Sequence, residues 1–242
     1  MELKQGKTIK MLCVEIPVID YSEALELQRN LVSARKSRII NEDIILLLEH
    51  PAVFTLGRRG GLENLEVSWD YLEKKGIPVI KTERGGDITF HGPGQLVGYP
   101  IVDIKAAGLS VTDYVERLEE VMIRTAGNWG IIAGRNSMNR GAWVNNSKLG
   151  SIGITVRRGI TFHGFAFNVC PSLEPFGWIN PCGLKGIAMT SLERELSARV
   201  PFHKVRESVK YNIEAVFGTV LINTSMTELQ EMFKKDNGRI TG

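Results

Sequence analysis

Apolar positions near the start of the chain recur with the periods of a helix and of buried strands. Asp20 is a suitable N-cap for a helix that continues to about Ser37, and Glu23 follows it at the spacing of a capping box. The apolar face of this helix consists of Ala24, Leu27, Leu31 and Ala34. Short apolar runs predict strands at 11–18 and 44–48.

The same periods predict further helices and strands along the chain. Residues 68–75 read as a short helix ended by Gly76, and Ser110 caps a longer helix to about Asn128. Its inner face is expected at Val111, Val115, Leu118 and Met122. The amphipathic face of a helix over 204–217 consists of Val205, Val209, Ile213 and Val216. Strands are expected at 79–81 and 96–104.

From Gly141 the pattern changes to β-hairpins. Apolar runs at 142–144, 149–156 and 160–169 are separated by Asn-Asn-Ser and Arg-Arg-Gly, which are good turn sequences. This order predicts an α+β fold, a mixed sheet with packed helices. Residues 1–217 are expected to form a single catalytic domain, and 218–242 an appended helix and tail of the same domain.

A glycine-rich segment at 84–95 has the composition of a ligand-binding loop. Gly92-Pro93-Gly94-Gln95 predicts a type II turn, because proline fixes φ at its second position and glycine allows positive φ at its third. Gly85-Gly86 allows close backbone approach, at an entropic cost that a purely structural loop avoids.

Three further blocks accompany this loop. They are Lys148 to Gly153, His163 to Val169 and Asn180-Pro181-Cys182-Gly183. Together with Arg84 to Gln95, and with Leu46 to Pro51 upstream, they resemble the lipoyl(octanoyl) transferase family over about residues 10–217. The resemblance implies the biotin/lipoate protein ligase-like catalytic fold.

The resemblance also implies an acyl-transfer site. Cys182 would be the nucleophile, and Lys148 would hold it as a thiolate and later act as a base. Backbone N–H groups near Ser151 to Gly153 would stabilise the oxyanion. The implied acyl-binding residues are Arg84, Gly85, Gly86, Asp87, Ile88, Thr89, Phe90, His91, Ser151, Ile152, Gly153, Gly164, Phe165 and Ala166.

The residue types agree with this chemistry without requiring it. A thioester is attacked by a thiolate, so the pKa of the Cys182 thiol must fall below its ordinary ~8.5. Cys182 lies between proline and glycine, where an accessible thiol is favoured, whereas Cys13 and Cys170 fall in or at the end of predicted strands. Lys148 would be a solvated turn residue on local sequence alone.

Other kinds of site have less support. His91, His163 and Cys182 lack the close spacing of metal ligands, and no metal is expected. A Rossmann fingerprint and a P-loop are both missing. Three alternatives stay open: an octanoyl amidotransferase between lipoyl domains, an ATP-dependent lipoate or biotin ligase, and a non-catalytic adaptor that binds lipoyl domains.

Composition and charge narrow the range of partners. The chain has 242 residues, a formal net charge of +3 and three cysteines without C-x-x-C spacing. No nucleic acid or membrane partner is expected, and the protein is expected to be cytoplasmic and monomeric. The resemblance implies as partners acyl carrier protein, the lipoyl domains of 2-oxoacid dehydrogenase complexes and the glycine cleavage H protein. No cofactor is expected beyond the phosphopantetheine that carries the acyl donor. Basic residues at 35–38 and 157–158 suit an acidic partner.

Overall fold

The computed structural model describes residues 9–180 and 187–237. The strands are β1 (Ile9–Ile16), β2 (Asp43–Leu48), β3 (Val53–Leu56), β4 (Val79–Lys81), β5 (Ile88–His91), β6 (Gln95–Ile101), β7 (Gly141–Val144), β8 (Ser147–Arg157), β9 (Ile160–Asn168), β10 (Ala188–Met189) and β11 (Thr219–Asn223). The helices are α1 (Tyr21–Lys36), α2 (Trp69–Lys74), α3 (Val111–Asn128), α4 (Leu192–Leu196), α5 (Phe202–Phe217) and α6 (Met226–Asn237). None of the described helices is both long and apolar enough to cross a membrane.

Two sheets organise these elements. Within the described residues, eight strands form the main sheet in the order β10-β8-β9-β6-β2-β1-β11, with β7 also paired to β8. β1 runs parallel to β2 and β11, whereas β2, β6, β9 and β8 are antiparallel to their neighbours in that order. The small sheet has the order β4-β3-β5. The expected mixed sheet with packed helices is confirmed.

Helices cover both faces of the main sheet, which explains its continuous apolar strands. Ile45 and Leu47 of β2 pack in a cluster with residues of α3 and α5. Ile44, Leu46 and Leu48 pack in a second cluster with residues of α1. Because successive side chains of a strand face opposite sides, a strand buried on both faces is apolar at every position.

Most helix boundaries agree with the sequence predictions. Asp20 caps α1, although its carboxylate accepts from the Ser22 N–H, and Ser110 forms a capping box with Asp113. The predicted inner face of α3 was wrong at Val111, which is exposed. Tyr114 is fully buried instead, and its hydroxyl donates to the Pro100 carbonyl at 3.1 Å.

Several strands were not predicted. β5 occupies 88–91, inside the segment that was interpreted as one glycine-rich loop, and pairs antiparallel with β3. The type II turn after it is supported by the φ of +85° at Gly94 and by the Gln95 N–H donating to the Gly92 carbonyl. β11 lies in the expected tail, yet it extends the main sheet beside β1.

Gly164 provides a test of how closely β9 and β6 approach. A Cβ at this position would overlap the Gly98 carbonyl oxygen, so Gly164→Ala should lower the free energy of unfolding by about 2 kcal/mol through overpacking. Gly127→Ala is the matched control, because it lies exposed in α3 with open space around it. The control should gain roughly 0.5–1 kcal/mol. Urea denaturation measures both, and equal stability of the two variants would contradict the close packing.

Candidate active site

A cavity lies between the small sheet and the β8–β9 part of the main sheet. Its lining comes from the segment after β4, from β5, β8 and β9, and from Tyr21 at the start of α1. The residues that line it are Tyr21, Arg84, Gly86, Asp87, Thr89, His91, Tyr99, Asn139, Lys148, Ser151, Ile152, Gly153, His163, Gly164, Phe165, Ala166, Phe176 and Met189. The structure therefore brings together most of the residues implied by the resemblance. Their roles stay predictions.

A β-bulge turns Lys148 toward this cavity. On β7, Ala142 pairs with Gly150 and Trp143 pairs with Lys148, so Leu149 has no partner on that strand. Leu149 packs in the cluster of α3, and a Cβ at Gly150 would touch Met122 of the same helix. Two successive residues thus face α3, and Lys148 lies on the cavity side with Ser151 and Gly153. Bulges commonly redirect side chains next to active sites.

Lys148 is 5% exposed, which is unusual for lysine and requires polar or aromatic surroundings. Its Nζ lies 5.4 Å from the centre of the Trp143 ring, whose face attracts a cation. Gly141 leaves room for the side chain, because a Cβ there would be 2.9 Å from Lys148 Cε. The Lys148 carbonyl accepts from the Thr190 N–H at 3.0 Å. The amine is therefore held inside the fold.

Arg84 fixes the loop on the opposite wall. Its Nε donates to Thr55 Oγ1 at 3.1 Å, and its Nη2 donates to the Thr55 carbonyl at 2.6 Å. Its Nη1 donates to the Gly85 carbonyl at 3.1 Å. The Gly85 N–H in turn donates to the Ile154 carbonyl of β8 at 2.9 Å. This chain of bonds closes the gap between the small sheet and β8.

Three of the implied acyl-binding residues lie outside the lining. Ile88 and Phe90 face the other side of β5 and pack in the core of the small sheet, because side chains alternate along a strand. The third, Gly85, donates its N–H to the Ile154 carbonyl of β8. Cys182, the predicted nucleophile, lies outside the described residues. The described chain resumes at Ile187, and Met189 of β10 pairs with Lys148.

The other two cysteines are unsuited to nucleophilic chemistry. Burial raises the pKa of the Cys13 thiol to about 12, and it also raises the pKa of Cys170 above its ordinary value. Cys13 is only 1% exposed. Neither is a thiolate at neutral pH, in agreement with their assignment as structural residues.

Several lining residues were missed by the sequence interpretation. Tyr21, Tyr99, Asn139, Phe176 and Met189 belong to elements far apart in the chain, and only the tertiary fold brings them to the cavity. From the sequence, His163 was considered only as a metal ligand and as the first residue of a motif block.

The buried histidines of the site are neutral. Burial lowers the pKa of His50 to about 4 and, together with the Arg84 charge, that of His163 to about 3. The pKa of His91 is also well below its ordinary value, again chiefly because of burial. His91 Nδ1 bonds Gln95 Oε1 at 2.7 Å, and His50 Nε2 bonds the Tyr99 hydroxyl at 2.7 Å. No three His, Cys, Asp or Glu residues in the described ranges are grouped to hold a metal ion.

The basic segments that suited an acidic partner are partly neutralised. Arg35 pairs with Asp43 at 3.0 Å, and Arg157 pairs with Glu83 at 3.3 Å. Arg58 and Arg59 are exposed and have no ion pair in the part of the chain that the structure describes. The backbone N–H groups of Arg58 and Arg59 donate to the Arg84 and Gly86 carbonyls, so both residues lie beside the cavity loop.

The fold is that of the lipoate protein ligases. A bipartite lipoate protein ligase from Thermoplasma acidophilum superposes with a TM-score of 0.73 at 15% identity, covering 94% of this chain and 91% of that one. Residues 20–214 match the lipoyl protein ligase A/B catalytic domain. The chain belongs to this family, and the expected lipoate ligase-like fold is confirmed.

Two relatives narrow the class further. The octanoyltransferase of Desulfotalea psychrophila is 45% identical over 215 residues, which are 88% of this chain and 96% of that protein. The octanoyltransferase of Syntrophobacter fumaroxidans is 43% identical over 208 residues, or 86% and 91% of the two chains. The resemblance to lipoyl(octanoyl) transferases is thereby confirmed, and the protein is an acyltransferase.

The neutral histidines predict a pH dependence of stability. Histidine has a pKa near 6.5 in the unfolded chain, so below that pH the unfolded state binds more protons than the folded state. For His50, the free energy of unfolding is therefore at its full value above about pH 6.5. It decreases as the pH falls toward the folded pKa of about 4. Each such histidine contributes a slope of up to ~1.4 kcal/mol per pH unit.

His50→Gln should remove one of these slopes. The unfolding free energy of the variant should fall less steeply between about pH 6 and pH 5, by roughly 1 kcal/mol per pH unit. Urea denaturation at several pH values measures the slope, which is independent of any constant loss of stability in the variant. Parallel curves for the wild type and the variant would show that His50 titrates normally in the folded protein.

Proposed function

We propose that this protein transfers an octanoyl group from the phosphopantetheine thiol of acyl carrier protein to a lysine of a lipoyl domain. The transfer passes through a thioester on Cys182 and serves lipoate biosynthesis. The octanoyltransferase names of its relatives support the acyl group, and the family resemblance supports the donor, the acceptor and the covalent intermediate.

The buried position of Lys148 is the observation that carries the proposal. A lysine at the surface would need no such site, whereas this amine lies in the wall of a cavity with small residues at Ser151, Gly153 and Gly164. A narrow cavity of this kind accommodates a linear acyl chain, and a cation at its side stabilises a neighbouring thiolate. The site thus combines acyl binding with a proton carrier.

The first half-reaction loads the enzyme. The Cys182 thiolate attacks the carbonyl carbon of the octanoyl thioester, and backbone N–H groups near Ser151 to Gly153 stabilise the oxyanion. The bond from the carbonyl carbon to the pantetheine sulfur then breaks. The leaving thiolate takes a proton from the Lys148 ammonium, which leaves octanoyl-Cys182 beside a neutral amine.

The second half-reaction returns the proton. The neutral amine of the acceptor lysine attacks the carbonyl of octanoyl-Cys182, and Lys148 removes a proton from the attacking nitrogen. The carbon–sulfur bond breaks, the Cys182 thiolate leaves and the amide remains on the acceptor. Lys148 is again an ammonium, so the cycle needs neither ATP nor a metal ion.

The partners follow from the same chemistry. The donor is acyl carrier protein, and Arg58 and Arg59 offer exposed positive charge beside the cavity loop for an acidic carrier. The acceptors are the lipoyl domains of 2-oxoacid dehydrogenase complexes and the glycine cleavage H protein. We place the reaction in the cytoplasm, with the protein acting as a monomer and without a resident cofactor.

The covalent intermediate can be detected directly. Incubation with octanoyl acyl carrier protein should add one octanoyl mass to the protein, and neutral hydroxylamine should remove it because it is a thioester. Cys182→Ala should show no adduct. Cys13→Ala and Cys170→Ala are the controls and should acylate normally. Intact mass spectrometry of the wild type and the three variants measures the adduct. An adduct on Cys182→Ala would refute the assignment of Cys182 as the nucleophile.

The same incubation separates the open alternatives. Transfer from the carrier thioester should proceed without ATP, because the thioester already stores the required free energy. Strict dependence on ATP and free octanoate would identify a ligase. Efficient use of an octanoylated lipoyl domain as donor, without use of the carrier, would identify the amidotransferase, and no transfer from any donor would favour an adaptor.

Lys148 has two separable roles in this mechanism. Lys148→Ala removes the charge, so the pKa of the Cys182 thiol should rise by about 1–3 units and alkylation at neutral pH should slow accordingly. Lys148→Arg keeps the charge but cannot give up a proton, so it should form the acyl-enzyme and fail in transfer to the lipoyl domain. Iodoacetamide reactivity against pH and single-turnover kinetics measure the two roles. Unchanged half-reactions in Lys148→Ala would remove Lys148 from the mechanism.

A further inference from the structure

The end of the cavity opposite Lys148 is polar rather than apolar. Tyr21 and His163 line the cavity there, and Thr82 connects them. We call these three residues the polar floor. Because the proposed substrate has an apolar methyl end, a polar floor requires a separate explanation, which rests on the proposed function.

The strand register shows which end of the cavity this is. Lys148, Ser151 and Gly153 follow one another along β8 on the cavity side, and the next residue, Ile154, pairs with His163 of β9. In the proposed mechanism Lys148 exchanges protons at the reacting end of the acyl chain. The methyl end of a bound chain therefore points toward the polar floor.

His163 reaches the cavity only through an unusual backbone conformation. Its φ is +56° within strand β9, a region that residues other than glycine rarely adopt. Its pairing partner Ile154 packs with the cluster of α3, on the opposite side of the sheet. The Gln28 side chain of α1 accepts the His163 N–H at 2.7 Å and holds this conformation. Such strain concentrates at ligand-binding positions.

The hydrogen-bonding capacity of the polar floor is not filled. His163 Nδ1 is buried and has no partner among the described residues. The Tyr21 hydroxyl lies 3.5 Å from Thr82 Oγ1, which lies 3.4 Å from His163 Nε2. Both distances are longer than the ~2.5–3.2 Å of ordinary hydrogen bonds in proteins. These groups therefore favour water or another polar partner over a hydrocarbon.

We propose that the polar floor sets the upper limit on acyl chain length in this enzyme. An octanoyl chain ends before the Tyr21 hydroxyl and the His163 ring and leaves their polar partners in place. A decanoyl chain carries two more carbons onto these groups and removes water that they need. Buried polar groups left without partners oppose binding, so the discrimination arises from polarity and not from a steric wall.

Two variants separate polarity from shape. Tyr21→Phe removes one hydroxyl and keeps the ring, whereas His163→Asn shortens the side chain, keeps polar atoms and tolerates positive φ. Tyr114→Phe is the matched control, because this buried tyrosine also loses a hydrogen bond and does not line the cavity. Calorimetry with octanoate and decanoate gives the ratio of the two dissociation constants for each protein, and transfer from the two acyl carriers gives the kinetic ratio.

Tyr21→Phe should shift both ratios toward the ten-carbon chain by roughly tenfold. His163→Asn and Tyr114→Phe should keep the wild-type ratios within about threefold. The reverse result would be unchanged ratios in Tyr21→Phe together with ratios shifted toward the ten-carbon chain in His163→Asn. It would show a steric wall and overturn the proposal. The fatty acid ratios remain informative if no protein transfers an acyl group, which would count against the proposed function alone.

Discussion

The cavity depends on a backbone contact between the loop after β4 and the edge of β8. The Gly85 N–H donates to the Ile154 carbonyl at 2.9 Å, and a Cβ at Gly153 would lie 2.9 Å from the Gly85 carbonyl oxygen. Glycine is required because side chains at these positions would push the two sheets apart. Arg84 supports the contact from the other side through its bonds to Thr55. A second bond, from Thr155 Oγ1 of β8 to the Glu83 carbonyl at 2.7 Å, joins the same loop to β8, and together these contacts set the distance between the walls of the cavity.

Two irregularities in the β8–β9 hairpin then place the Lys148 and His163 side chains on that cavity. Regular alternation would direct Lys148 to the side of α3, and the bulge at Leu149 reverses this. Regular pairing would direct His163 to the same side as Ile154, and its left-handed backbone reverses that as well. A regular hairpin would therefore leave the cavity without the Lys148 amine and without the His163 ring of the polar floor. Irregular backbone at a functional position is tolerated because the surrounding core is extensive enough to hold it.

The sequence was most informative where structure is local. The boundaries of α1 and α3 follow from caps and apolar periods, that of α5 from its apolar period, and the glycine-rich loop from a contiguous motif. Local sequence alone indicated a solvated turn residue at Lys148, which is only 5% exposed. β5 was missed because four residues between glycines carry too little periodicity to show a strand. Val111 was misassigned because it is the first residue of α3 and lies exposed, and the buried face begins one turn later at Tyr114. The polar floor could not be predicted, since Tyr21, Thr82 and His163 meet only in the tertiary fold.

The neutral state of the histidines explains how polar residues can surround an apolar substrate. A charged imidazole beside an acyl chain would need water or an anion, both of which would occupy the cavity. Burial lowers the pKa values of His91 and His163, and the positive charge of Arg84 lowers them further. Tyr21 stacks on His91 with a ring separation of 5.8 Å, so neutral flat rings form the wall. Fixing Arg84 to Thr55 thus serves two purposes, because the same residue holds the loop in place and adds to the effect of burial in lowering the pKa values of the neighbouring imidazoles.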